Sequence, residues 1–167
     1  MTYEYTLLDT RFGWMAIVAS SKGLCKLTLP QPAADKSLTL ISDLLPKAVA
    51  STSSFRELTY RLECYFDGEQ VEFPDTLDLE QCTPFQQDVW KLTCSIPYGE
   101  TRSYGWIAKE LGKPKSGQAV GKALAYNPLP IIIPCHRVVA SNGSLGGFSG
   151  GLELKRKLLH LESPDNK

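Results

Sequence analysis

Cys135 and His136 stand side by side in Pro134-Cys135-His136-Arg137-Val138, directly after the apolar run Ile131-Ile132-Ile133. A cysteine attacks only as its thiolate, and a free thiol is mostly protonated at neutral pH, so Cys135 needs a base. His136, one of two histidines in the chain, is the adjacent candidate. Neighbouring side chains on a strand point to opposite faces. The pair therefore cooperates only if the chain turns here or a water bridges the two, and Pro134 favours such a break. The other ring nitrogen of His136 needs an acceptor to fix its tautomer, and a carboxylate such as Glu162 could serve. Two other readings fit the same dipeptide. One is a buried core thiol beside a hydrogen-bonded interior histidine. The other is a Cys/His hydrolase, which would further need an oxyanion hole and water access.

Other chemistries find less support. The cysteines (Cys25, Cys64, Cys82, Cys94 and Cys135) are odd in number and scattered, with no C-x-x-C pair, which argues against a disulfide framework and a zinc site. Gly121-Lys122 is followed by Ala123, so there is no Walker motif, and Gly143-Ser144-Leu145-Gly146-Gly147-Phe148-Ser149-Gly150-Gly151 is not a dinucleotide fingerprint. No nucleotide cofactor is expected. The glycine-rich stretch reads either as a flexible connection or as a loop whose backbone can approach a flat base closely.

The elements that must position these groups fall into two textures. Tyr3–Leu8, Gly13–Ala19 and Leu24–Leu29 read as strands separated by turn residues, and Leu38–Leu45 as a short helix. Ser54-Phe55-Arg56-Glu57 has the form of a capping box, with Leu58, Leu62 and Tyr65 at helical spacing before Asp67-Gly68. Strands followed by helices suggest a small α+β domain. Residues 69–83 are polar and acidic and read as a linker. Beyond it Thr83-Pro84-Phe85-Gln86 combines an N-cap, a proline at the first helical position and a capping glutamine. Phe85, Val89, Leu92 and Ile96 mark the inward face of that helix. Two short helices follow, capped by Ser103 and Ser116, and their close succession is a helix-turn-helix signal. The last helix turns Leu154, Leu158 and Leu161 inward and Lys155-Arg156-Lys157 outward. The boundaries expected are 1–80 for the first domain and 81–167 for the second.

Zero net charge conceals an asymmetry. Residues 1–83 hold seven basic and twelve acidic residues, a net −5, while residues 84–167 hold eleven and six, a net +5. A basic half can collect a polyanion while an acidic half maintains solubility. No stretch has the length of a membrane span, and no secretory signal is evident, so a cytoplasmic protein without membrane association is expected.

Pro-Cys-His-Arg-Val at 134–138, preceded by Asn127-Pro128 and followed by Ser149-Gly150-Gly151, resembles the O6-alkylguanine-DNA alkyltransferases. The likeness is dense from Thr83 to Glu162 and looser before it. It implies an α+β fold with an N-terminal ribonuclease-H-like small α/β domain and a helical C-terminal domain carrying the helix-turn-helix. It also implies a monomer acting on double-stranded DNA that contains O6-alkylguanine, with no metal or cofactor required, and leaves activity on O4-alkylthymine open. Cys135 would take the alkyl group in one irreversible turnover, with His136, a water and Glu162 taking up the thiol proton. The lesion must be flipped out of the duplex to be reached.

The resemblance also assigns supporting roles. Tyr104 would help rotate the nucleotide and donate to the leaving guanine, and Asn127 would brace the active-site turn. The carbonyls of Cys135 and Val138 would meet the guanine amino group, and the Ser149 backbone its damaged oxygen. Pro130 and Phe148 would wall the pocket, and Gly150 would leave room for larger alkyl groups. The helix from Ser116 would enter the minor groove, with Ala119 and Gly121 allowing close approach and Ser103, Lys115, Lys122 and Ser141 meeting phosphates. Gln118 stands where the family usually has an arginine that fills the gap left by the flipped base; glutamine can hydrogen-bond there but lacks the charge and the planar stack. Phe148 stands where a tyrosine is common. A damage sensor that does not repair, and a helix-turn-helix regulator that reads sequence in the major groove, are the alternatives. The sensor reading is disfavoured by the presence of Cys135.

Overall fold

The computed structural model describes residues 2–164. The chain divides into two compact units, Met1–Leu79 and Glu80–Lys167.

The first unit is built on the expected strands, β1 (Tyr3–Thr10), β2 (Gly13–Ser20) and β3 (Gly23–Leu27). β1 and β2 form a hairpin in register from Glu4↔Ala19 to Thr10↔Gly13. β3 adds antiparallel to β2, and β4 (Ala48–Ala50) adds parallel to β1, giving the order β3-β2-β1-β4. Met15 to Val18 on β2 are all fully buried, so both faces of the sheet are covered. On one face Ala16 and Val18 meet Ile41, with Tyr3, Tyr5, Leu7 and Leu38 around them.

Three expectations for this unit are corrected. The first helix, α1, spans Ala34–Leu40 instead of reaching Leu45. Pro46 has no amide hydrogen to continue a ladder, and Leu45–Lys47 forms a 3-10 turn. The capping box at Ser54 does not form. A 3-10 turn at Ser53–Phe55 leads into α2 (Arg56–Phe66), its N-cap is Phe55, and the Ser54 hydroxyl accepts from Ser51 at 3.0 Å. Leu58, Leu62 and Tyr65 are nevertheless buried. Finally, the acidic stretch expected as a linker is docked. Leu24 N donates to Thr76 O at 2.9 Å and Asp78 N to Leu24 O at 2.7 Å, while Arg61 grips Asp75 through two bonds of 2.6 and 2.8 Å. A Cβ at Gly23 would lie 2.5 Å from Thr76 O, so the glycine is what lets this segment pair with β3.

The second unit starts with α3 (Pro84–Cys94), where Thr83 and Gln86 form the expected reciprocal capping box. Its buried side is Val89, Trp90 and Thr93, rotated from the predicted stripe because Trp90 donates from Nε1 to Ala123 O at 3.0 Å. β5 (Arg102–Ser103) pairs in parallel with β6 (Val138–Val139). α4 (Tyr104–Glu110) is capped by Ser103, whose hydroxyl accepts from Trp106 N at 2.9 Å. α5 (Gly117–Ala125) follows after the turn at 111–116, and α3 packs on both to complete a helix-turn-helix. Ser116 is the N-cap residue by position but its hydroxyl donates back to Lys113 O at 2.6 Å, so it caps nothing. α6 (Leu152–Glu162) closes the unit.

Candidate functional site

The apolar run before Cys135 is buried but is not a strand. Ile131 adopts φ 76°, a conformation that a β-branched residue rarely holds, and the chain turns sharply there. Asn127 braces the turn from both sides: its Nδ2 donates to Ile133 O at 2.8 Å, and its Oδ1 accepts from Leu129 N at 2.9 Å. Pro134 then leads into a 3-10 turn, Cys135–Arg137. This turn removes the objection that Cys135 and His136 must face opposite ways.

His136 is fully buried, and its Nε2 lies 2.5 Å from Glu162 Oε2. Arg137 donates from Nε to Glu162 Oε1 and from Nη1 to Ile96 O, both at 2.8 Å. Burial would raise the Glu162 carboxyl, but bonds and charge from His136 and Arg137 outweigh it and hold the group at about 2. Burial lowers His136, against the pull of Glu162. A neutral imidazole whose Nε2–H donates to an ionised carboxylate carries its lone pair on Nδ1. Any proton relay toward Cys135 therefore falls to Nδ1.

Cys135 is 6 % exposed. Burial raises its thiol, and Asn127, the Lys155 charge and the backbone amides of Cys135 and His136 act in the opposite direction. The thiol lines a cavity of about 750 Å³ together with Tyr104, Gly117, Gln118, Gly121, Leu124, Ala125, Gly147, Phe148 and Ser149. That volume suits a single flat ligand. Tyr104 donates from its hydroxyl to Gly147 O at 3.4 Å, and burial keeps that hydroxyl protonated beyond its ordinary range.

The other expected residues are distributed as follows. Pro130 is buried within the turn, bridged to Ile133, and is not among the cavity-lining residues; Val138 is buried on β6. Gly150 is exposed, one residue past the cavity-lining Ser149. Ser103 caps α4; Lys115 is exposed on the turn before α5, Ala119 and Lys122 on α5, and Ser141 just after β6.

Lys155 was expected to face solvent, and this is corrected: it is 1 % exposed. Its Nζ donates to Val138 O at 2.7 Å and Gly147 O at 3.1 Å, and it lies 5.8 and 5.9 Å from the ring centres of Tyr104 and Phe148. The Val138 carbonyl assigned to the guanine amino group thus already holds an ammonium. Burial lowers Lys155 to about 8. The signal was in the spacing, since 155, 158 and 162 share one stripe of α6. Gly146 carries no sequence signal that separates it from the other glycines of its loop. At φ 71° a Cβ there would stand 2.6 Å from the Tyr104 hydroxyl.

Residues 3–79 match the ribonuclease-like domain, and residues 84–164 the DNA-binding domain, of 6-O-methylguanine DNA methyltransferase. The chain belongs to this methyltransferase family. The methylated-DNA–protein-cysteine methyltransferase of Mycobacterium tuberculosis is 40 % identical over 159 residues, covering 95 % of this chain and 92 % of the relative. The one from Methanosarcina barkeri is 40 % identical over 158 residues, covering 95 % and 96 %. Among solved structures, Mycobacterium tuberculosis OGT in complex with DNA matches with a TM-score of 0.81 at 39 % identity, covering 95 % of this chain and 92 % of that one. The O6-methylguanine-DNA methyltransferase of Pyrococcus kodakaraensis matches at 0.74 and 26 % identity, covering 96 % and 99 %. Both units of this methyltransferase-family chain are thus accounted for. Among the described residues no helix is long and apolar enough to cross a membrane.

Proposed function

We propose that the chain repairs DNA directly, moving the alkyl group of O6-alkylguanine in a duplex onto Cys135. The carrying observation is a cysteine at the wall of a cavity that also opens onto α5, with the buried His136–Glu162 pair beside it. The sulfur–carbon bond forms as the bond from carbon to O6 breaks, leaving S-alkylcysteine and guanine. Nothing regenerates the thiol in this scheme, so each molecule acts once.

His136 takes the thiol proton at Nδ1 through a water, and Glu162 stabilises the resulting imidazolium. Tyr104, kept protonated, donates to the leaving guanine, and Asn127 holds the turn that carries the thiol. Phe148 and Ser149 form the wall against the base, Gly150 gives space for groups larger than methyl, and the guanine amino group donates to the carbonyl of Cys135 and to the second lone pair of the Val138 carbonyl, whose first takes Lys155. Pro130 supports the turn. Gln118 enters the gap left by the flipped base; Ala119 and Gly121 let α5 approach the minor groove, and Ser103, Lys115, Lys122 and Ser141 meet phosphates. Residues 81–167 carry all of this, residues 1–80 forming a separate domain. The protein acts as a cytoplasmic monomer.

Intact-protein mass spectrometry after mixing with a duplex containing one O6-methylguanine tests the proposal. The expected result is one added methyl group per molecule, mapped to Cys135 and absent from Cys135→Ala. Damage-dependent binding without a mass gain would favour a sensor instead.

A further inference from the structure

α5 presents a continuous stripe to solvent. Gln118, Lys122 and Tyr126 follow at four-residue spacing, so they share one side of the helix, and all three are exposed. Tyr126 keeps the helical register because its amide donates to Lys122 O and Ala123 O. It is 67 % exposed, the largest exposure among the large hydrophobic side chains of the described residues. The preceding residue, Ala125, lines the Cys135 cavity, as do Gln118 and Gly121. Tyr126 itself is not among the lining residues; it directly follows the cavity-lining end of α5.

Along the chain, the segment that holds α5 carries charge of one sign. No Asp or Glu occurs between Glu110 and Glu153, while Lys113, Lys115 and Lys122 fall within that stretch. A flat aromatic face beside cations is the combination that holds a nucleotide, the ring against base or sugar and the ammonium against phosphate. A protein partner would not require the one-sided charge.

We propose that Tyr126 is a DNA-binding residue whose ring packs on the base–sugar face of a nucleotide next to the lesion, while Lys122 meets a phosphate of the same strand. This rests on the repair reading and adds a contact to it. The test compares wild type, Tyr126→Ala and Tyr126→Phe in methyl transfer from an O6-methylguanine duplex, each rate divided by that with free O6-benzylguanine. Loss of a stacked ring predicts a fall of roughly tenfold in that ratio for Tyr126→Ala, with Tyr126→Phe staying within about twofold. A 5-iododeoxyuridine beside the lesion should photocrosslink to Tyr126 in the wild-type protein.

An unchanged ratio in Tyr126→Ala overturns the proposal, as does a loss in Tyr126→Phe equal to that in Tyr126→Ala, which would assign the contact to the hydroxyl. Crosslinking confined to other residues also overturns it. If the wild-type protein takes no methyl from the duplex, the repair reading fails and this contact with it. Normal wild-type transfer with an indifferent Tyr126→Ala sinks the contact alone.

Discussion

Glu162 accepts from His136, from Arg137 and, at 3.4 Å, from the amide of Gly99. Its carboxyl is depressed from an ordinary 4.5 to about 2. A depressed acid stabilises the fold above its unfolded value and loses that contribution as pH falls through its folded one. Stability should therefore decline from about pH 4.5 toward pH 2. In Glu162→Gln this decline should be shallower. At neutral pH the variant should lose about 3 kcal/mol, because Arg137 is left buried without its counter-charge. Urea unfolding across that pH range measures both. Alkyl transfer should slow by roughly a hundredfold, since the imidazole loses the group that fixes its tautomer.

Lys155 acts on the Cys135 thiol through its charge. Its charge favours the Cys135 thiolate, so Lys155→Met should move the rise of the transfer rate with pH to higher pH. An unshifted profile would reduce Lys155 to a packing role. These two residues also show what the sequence could carry. Cys135, His136 and Glu162 were legible as a possible nucleophile, base and acceptor from their chemistry. The geometry joining them was not, because it depends on Ile131 at a positive φ and on a 3-10 turn, neither of which has a local sequence signature. The burial of Lys155 is masked in the sequence because Lys-Arg-Lys looks like a solvated face.

At the level of elements, two apparent capping boxes behaved differently. Thr83 caps α3 with Pro84 already holding the first helical φ. Ser54 is taken into a 3-10 turn and a bond with Ser51, so its box is lost to a local competitor. The strands were legible from alternation, whereas the docking of residues 69–83 was not, because its acidic residues find Arg61 and Ser20 only in three dimensions. The glycine-rich loop gives the sharpest prediction at this scale. It lies against Tyr104 at Gly146, which sits at φ 71° with no room for a Cβ. Gly146→Ala should cost about 1–3 kcal/mol from the backbone conformation alone and must displace either the loop or the tyrosine. Thermal unfolding and the transfer rate should both fall. A variant with wild-type rate and stability would mean that the loop repositions freely and that its seat on Tyr104 has no function.

The molecule as a whole has no net charge, yet its proposed ligand is a polyanion. Binding must then come from local fields, and affinity should follow the lysines near α5 rather than the total. Each phosphate neutralised releases counterions and adds about 0.9 to the slope of log affinity against log salt on duplex DNA. Lys115 and Lys122 are exposed and stand just before and on α5. Lys115→Ala and Lys122→Ala should each weaken binding to any duplex, damaged or not, and each should lower the slope by about 0.9. Lys36→Ala, in α1 of the acidic unit, should leave the slope unchanged. Fluorescence anisotropy over a salt series reads all three. A slope that falls equally for all three variants would mean that affinity tracks net charge, and the basic region between Glu110 and Glu153 would lose its special standing as the DNA-facing surface.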